Sequence, residues 1–261
     1  MNIHWRSWPL SGRGCEMLIV NADDYGAAPS ATDAILRAWR ARAVTCASAM
    51  VWMHDSARAA RLAREEGLPL GLHLNLTLPF PDEEMGRAVR ERQAELTSLF
   101  NRETWMSTTR TDPPRDLVRE AVRDQLERFR DEYGELGHVN GHHHVHVHPT
   151  VLDALPAGIP VRPILRSVSR ADARTSGRKR RSFQRFPTPA LALDFEQLHP
   201  ALGGTGFGVL GRCADGVAVE VMTHPQRRAE LQALLSTEWL DLVARLPTGA
   251  CAELAGTARS L

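Results

Sequence analysis

Lysine is all but missing from this 261-residue chain: Lys179 is the only one, and arginine carries the rest of the positive charge. The two signs nearly cancel, with 32 Lys plus Arg against 31 Asp plus Glu. That balance gives no general pull toward nucleic acid or an acidic membrane surface. Cysteine is also scarce. Cys15, Cys46, Cys213 and Cys251 lie far apart without CxxC spacing, which argues against a thiolate zinc site or a disulfide framework. A reducing, cytoplasmic setting is the corresponding expectation. No apolar run approaches the roughly 20 residues that span a bilayer, so no stable membrane anchor is expected. Residues 1–16 are polar and Gly-rich, lack the apolar stretch of a signal peptide, and read as a disordered extension.

What is present suits a single α/β domain over residues 17–261, with ordinary hydrophobic (43%) and charged (24%) content. The apolar run Met17-Leu-Ile-Val20 leads into the polar Asn21-Ala-Asp-Asp-Tyr-Gly26, as a buried strand opening into a loop does. A helix follows Pro29 with Ile35, Leu36 and Trp39 on one side, then a strand within Val44 to Trp52. Ser56 to Glu66 reads as a helix capped by Gly67, and Leu70 to Leu76 alternates as a strand.

Residues 77–112 show no clear period and read as a long excursion on the active-site side. Asp112 as N-cap and Pro113 as first helical residue begin a helix with the stripe Val118, Val122, Leu126, Phe129 and Tyr133, ended by Gly134. Gly137 to Val147 is a histidine-rich strand or strand end, Arg162 to Arg185 an Arg-rich mobile loop, and Val217 to Met222 a late strand followed by helices over 225–246. Strand alternating with helix predicts a parallel sheet, either a barrel or an open doubly wound one.

Three polar clusters stand where strands run into loops, the place where α/β folds gather catalytic groups. Asp23-Asp24 is the first. On an extended segment the two carboxylates point to opposite sides, so one can bind a metal while the other takes a proton from water. His73, between leucines, is the second. The third is Asn140-Gly-His-His-His-Val-His-Val-His148. Strand geometry would put His142, His144, His146 and His148 on one face, and so many buried imidazoles imply a metal or catalytic role for one or two of them. The others would line the pocket or orient ligands, as would Asn140 and Arg162. An aspartate and two histidines with open positions suit one catalytic divalent ion such as Zn²⁺, and amide hydrolysis would need a further acid, for which His224 is the candidate.

Taken together, Val20-Asn-Ala-Asp-Asp-Tyr-Gly26, Gly71-Leu-His-Leu-Asn-Leu-Thr77, the His142 to Pro149 block and Glu220-Val-Met-Thr-His-Pro225 resemble the YdjC-like carbohydrate deacetylase family. The resemblance implies a single-domain (β/α) barrel-like fold with parallel strands and hydrolysis of N-acetyl groups on glucosamine-containing sugars. It makes Asp24, His73 and His142 the metal ligands, Asp23 the general base and His224 the acid. It leaves Mg²⁺ as an alternative to Zn²⁺ and is compatible with a homodimer.

Two departures stand out. Asn140-Gly141 occupies a place where the family often has Asp-Ser, which resembles the branch associated with hopanoid lipid biosynthesis, whose members look like deacetylases of a lipid-linked N-acetylglucosamine. Gln226 stands where a glycine commonly follows the His-Pro. The same ligand set would also serve a phosphoesterase, a hydrolase of non-sugar amides, or a non-catalytic metal- or sugar-binding protein. The first of these usually wants carboxylates for a second metal, and none is evident.

Overall fold

The computed structural model describes residues 17–81, 85–100, 112–163, 190–212 and 218–254. The proposed N-terminal extension, Cys15, Cys213 and nearly all of the Arg-rich stretch lie outside these residues. Six strands form one parallel sheet in the order β4-β3-β2-β1-β6-β5. They are β1 (Met17–Tyr25), β2 (Cys46–Ala49), β3 (Leu70–Leu74), β4 (Val139–Gly141), β5 (Ala190–Asp194) and β6 (Ala218–Thr223). The sheet curls into a half-barrel with helices outside it, as the barrel-like expectation required.

Alternation along the strands explains the layering. Leu18, Val20 and Ala22 of β1, Ala47 and Ala49 of β2, Leu72 and Leu74 of β3, and Val219 and Val221 of β6 face outward. They share one core with Ile35 and Leu36 of helix α1 (Pro29–Arg40) and Ala59, Ala60 and Ala63 of α2 (Ser56–Glu66). The intervening residues face inward. Ile19, Cys46 and Ala218 meet Cys251 and Leu254 in a small second cluster at the N-terminal end of the strands. Above it, toward the C-terminal ends, the inward positions turn polar: Asn21, Asp23, Ser48, His73, Asn140 and Glu220 are all buried.

The predicted α1 and α2 are present, and Gly67 caps α2 in the left-handed conformation (φ 63°). The stripe Val118, Val122, Leu126, Phe129 and Tyr133 is buried on α4 (Arg115–Tyr133). Several boundaries need correction. The excursion over 77–112 contains a helix, α3 (Arg87–Leu99), whose stripe Val89, Gln93, Leu96 and Phe100 is broken by a glutamine. Gln93 is buried because its amide serves backbone carbonyls, Asn75 O at 3.1 Å and Leu78 O at 2.6 Å. Helix α4 begins at Arg115, not Pro113, since a residue preceding a proline is disfavoured in the helical region and Pro114 follows Pro113.

The histidine block is not a strand. β4 ends at Gly141, and His142–Val147 folds as two short 3-10 turns joined by left-handed His143 (φ 51°) and His144 (φ 60°). Gly141 permits this fold-back, because a Cβ there would stand 3.0 Å from both His146 N and Val145 Cγ2. The expected single face of four histidines is therefore replaced by a spread of directions.

Candidate metal and catalytic site

At the C-terminal end of β1 the pairing with β2 slips between Ala22 and Tyr25, and Asp24 within this bulge is left-handed (φ 71°). A bulge interrupts strand alternation and re-aims a side chain. The two aspartates consequently do not diverge as an extended pair would. Asp24 Oδ1 lies 3.1 Å from His73 Nε2, while Asp23 Oδ1 accepts from Ser48 Oγ (2.9 Å) and Asn140 Nδ2 (3.2 Å), both of which adjoin the opposite nitrogen of the same imidazole.

Asn140 fixes the tautomer of His73. Its Nδ2 donates to Asp23 and to Ser48 Oγ (3.0 Å), so its Oδ1, 2.6 Å from His73 Nδ1, must accept. His73 therefore carries its proton on Nδ1 when neutral and turns the Nε2 lone pair toward Asp24 Oδ1. That carboxylate oxygen is buried and has no hydrogen-bond partner among the described residues, while Asp24 Oδ2 accepts from Gln226 Nε2 at 2.7 Å. Two lone-pair donors facing each other at this distance need a proton or a cation between them. The donor set fits a divalent ion.

His142 is the third expected ligand. Its Nδ1 is 2.6 Å from Thr77 Oγ1, and its ring stands edge-on to His73 with centroids 5.8 Å apart. Among the described residues no three His, Cys, Asp or Glu side chains are gathered as a ready metal site. Asp24 and His73 converge; His142 stands beside them. His143 stacks on His142 at 3.8 Å between centroids. His146 is buried with Nε2 3.1 Å from Arg162 O, and His148 Nδ1 accepts from Thr150 N at the start of a short helix, so both hold backbone.

Arg162, expected to line the pocket or orient ligands from the edge of an Arg-rich loop, is buried and forms the hub of the interior. Val161 bridges to Val139 of β4, so Arg162 enters from beyond that edge of the sheet. Its Nη1 and Nη2 meet Asp23 Oδ2 and Oδ1 at 2.6 and 2.7 Å, and its Nε meets Glu220 Oε1 of β6 at 2.6 Å. A side chain from beside β4 reaches β1 and β6 only because the sheet is curled. Asp23 Oδ1 also accepts from Asn21 Nδ2 (2.8 Å), whereas Oδ2 accepts from Arg162 alone and keeps lone-pair capacity for a water.

Charge follows this geometry. Burial would raise the Asp23 pKa, but the Arg162 guanidinium outweighs it and holds the carboxyl well below its ordinary range. Asp24 is likewise opposed by burial, yet its contact with His73 brings it down to about 2. Burial pushes His142 to about 3, His144 to about 4 and His138 to about 3, so these rings are neutral. His224 differs. Burial pushes its pKa down, but hydrogen bonding to Glu230 and the charges of Asp23 and Asp24 together bring it above the usual value. Its Nδ1 is 3.7 Å from Glu230 Oε1, and its backbone N donates to Glu230 Oε2 at 2.7 Å.

Residues 17–245 match the family model described as YdjC-like protein. The chain belongs to the YdjC-like family. It is 34% identical over 163 residues to a chitooligosaccharide deacetylase of Salmonella heidelberg (strain SL476), a match covering 60% of this chain and 62% of the relative. The corresponding protein of Salmonella schwarzengrund (strain CVM19633) is 33% identical over the same extent. The chain thus spans less than two thirds of the length of the curated relatives it matches. A solved structure from Enterococcus faecalis V583, a protein provisionally named for cellobiose-phosphate cleavage, superposes with a TM-score of 0.68 at 19% identity, covering 92% of this chain and 99% of that one. It supports the fold.

Several residues of this YdjC-like site were not singled out in the sequence. Asn21 and Ser48 share inward strand positions with Asp23 and Cys46, and Glu220 is a charge between two buried valines, which is itself a cue. Thr77 and Glu230 carried no local signal. Among the described residues, no helix is long and apolar enough to cross a membrane.

Proposed function

We propose that this YdjC-like chain hydrolyses the N-acetyl group of an acetylated amino sugar, releasing acetate, with one divalent ion held by Asp24, His73 and His142. The observation carrying this reading is the unpartnered Asp24 Oδ1 facing His73 Nε2 at 3.1 Å, beside an ionised Asp23. The names of the Salmonella relatives support the sugar class. One carboxylate and two imidazoles suit Zn²⁺ better than Mg²⁺, which prefers an all-oxygen shell. When bound, such an ion supplies a Lewis acid that polarises the acetamide carbonyl and lowers the pKa of water.

The chain's own groups do the rest. Asp23, held ionised by Arg162, accepts the proton of the attacking water at Oδ2. Arg162 and Asn140 keep that carboxylate from rotating. His224, whose pKa burial lowers but Glu230 and the two aspartates together raise above the usual value, gives its proton to the departing sugar amine. Asn140 takes the orienting place expected of a carboxylate, its neutral amide oxygen accepting the His73 proton at 2.6 Å, a weaker acceptor than a carboxylate but in the same position.

The test is acetate release by metal-stripped protein reloaded with Zn²⁺, Mg²⁺, Co²⁺ or Mn²⁺, on N-acetylglucosamine oligomers and an N-acetylglucosaminyl lipid. Metal-dependent release supports the reading and ranks the two substrates. Stoichiometric metal binding with no acetate from any sugar refutes the substrate class.

A further inference from the structure

Gln226 occupies a position where a histidine-proline pair is commonly followed by glycine in the family this chain resembles, and a glycine could make none of its contacts. Its Nε2 lies 2.7 Å from Asp24 Oδ2. The amide orientation is fixed by chemistry: an ionised carboxylate only accepts, so the NH₂ end must face it. The other end, Oε1, is buried without a hydrogen-bond partner among the described residues. No second polar contact therefore explains where this side chain sits. Its polar function is spent on Asp24.

Asp24 needs such support. Its backbone is left-handed (φ 71°) inside a bulge, a conformation that costs a non-glycine residue free energy unless its surroundings enforce it. Local backbone contributes one contact, Ala27 N to Asp24 O at 3.1 Å. The side chain is anchored from across the mouth of the barrel, by a residue on the loop after β6. That loop is itself closed by Arg227 N to His224 O at 2.9 Å and by His224 N to Glu230 Oε2 at 2.7 Å.

We infer that Gln226 is a positioning residue that ties the metal ligand Asp24 to the loop carrying His224, occupying Oδ2 so that Asp24 offers Oδ1 alone to the ion. The inference rests on the metal reading above. An aspartate binding through one oxygen uses one fewer coordination position than a two-oxygen one and leaves more room for water and the substrate carbonyl. It also sets the ligand and the acid in a common frame, since the loop that carries His224 also carries the amide that holds Asp24.

The test is calorimetric titration of the metal-stripped full chain with Zn²⁺, for wild type, Gln226→Met and Asp24→Ala, with thermal melts of the metal-free forms. Methionine keeps the shape and removes the donor. The expected result is about 10- to 100-fold weaker Zn²⁺ binding by Gln226→Met, the usual loss when a ligand's outer partner is removed. Its metal-free melting temperature should change little, because the unpartnered Oε1 disappears together with the bond and offsets the Asp24 Oδ2 left without its donor. Asp24→Ala should lose the site. Wild-type binding with Gln226→Met within twofold overturns the inference and leaves the metal reading intact. Binding unaffected by Asp24→Ala, or no wild-type binding, overturns both. If Gln226→Met fails to fold, Gln226→Gly carries the same comparison.

Discussion

Replacing Arg162 by methionine should cost this protein a large part of its stability, and in a pH-dependent way. The guanidinium sits between Asp23 and Glu220 with three contacts of 2.6, 2.7 and 2.6 Å, and all three side chains are essentially shielded from water. Methionine fills much of the volume but leaves two carboxylates in the interior with no cation. Breaking a buried ion pair by removing one partner costs about 3–5 kcal/mol. A domain of this size has only some 5–15 kcal/mol to lose. At about 2–4 °C per kcal/mol the melting temperature should fall by roughly 6–20 °C at pH 7.

The sign of the pH effect follows from the two carboxylates. In the wild type the Asp23 pKa lies below its ordinary value of 3.8, so its stabilising contribution is present above that value and is lost only as pH falls through the depressed one. In the variant, burial acts without the guanidinium: the folded-state value of Glu220, which burial already holds above its ordinary one in the wild type, rises further, and that of Asp23 rises above its unfolded value. The folded variant then binds more protons than the unfolded chain, and its stability grows as pH is lowered. The gap between variant and wild type, measured by urea unfolding, should shrink between pH 7 and pH 5. Adding Asp23→Asn and Glu220→Gln to the variant should recover most of the loss. A deficit under about 1 kcal/mol at pH 7, below even a typical point-mutant effect, refutes the reasoning, as does a deficit equal at both pH values.

Other consequences can be checked separately. Asp23→Asn should keep its metal and lose turnover; unchanged acetate release removes the base from Asp23. Thr77→Val deprives His142 Nδ1 of its 2.6 Å partner and should weaken metal binding by about 10- to 100-fold in a chelator competition, with little change in the melt. Glu230→Gln removes a group that raises the His224 pKa, so the alkaline limb of the rate profile, where protonated His224 is lost, should move to lower pH; an unmoved limb assigns the acid elsewhere. Gln125→Leu leaves the backbone N–H of Asn75 without its acceptor at 2.9 Å, while the Asn75 carbonyl keeps Gln93 Nε2 at 3.1 Å, and should cost about 1–3 kcal/mol by denaturant titration.

How far the sequence reading reached depends on the physics behind each signal. Periodicity located α1, α2 and the stripe of α4, because apolar burial alone shapes those faces. It missed α3, where the buried position belongs to Gln93, whose value lies in two backbone carbonyls distant in sequence. The polar ends of β1, β3, β4 and β6 were legible as places, since inward strand positions of this kind tolerate Asn, Asp and His only when they partner one another. Their pairing was not legible. Nothing local distinguishes Arg162 from the arginines that follow it, yet it alone among the described residues reaches Asp23 and Glu220 together.

The most instructive case is Asp23-Asp24. Strand alternation sends neighbouring carboxylates to opposite sides, and that rule gave them two separate jobs for the wrong geometric reason. A one-residue bulge with Asp24 left-handed brings both to the same imidazole. The difference between them instead arises from what surrounds each: a guanidinium and three neutral donors around Asp23, against one amide and the Nε2 of His73 around Asp24. A carboxylate held by a guanidinium stays fixed and ionised, whereas one with fewer partners is open to a cation. The chemistry of the pair is thus set by partners contributed from β2, β3, β4, the residues after β4 and the loop after β6, which only the curl of the sheet brings within reach.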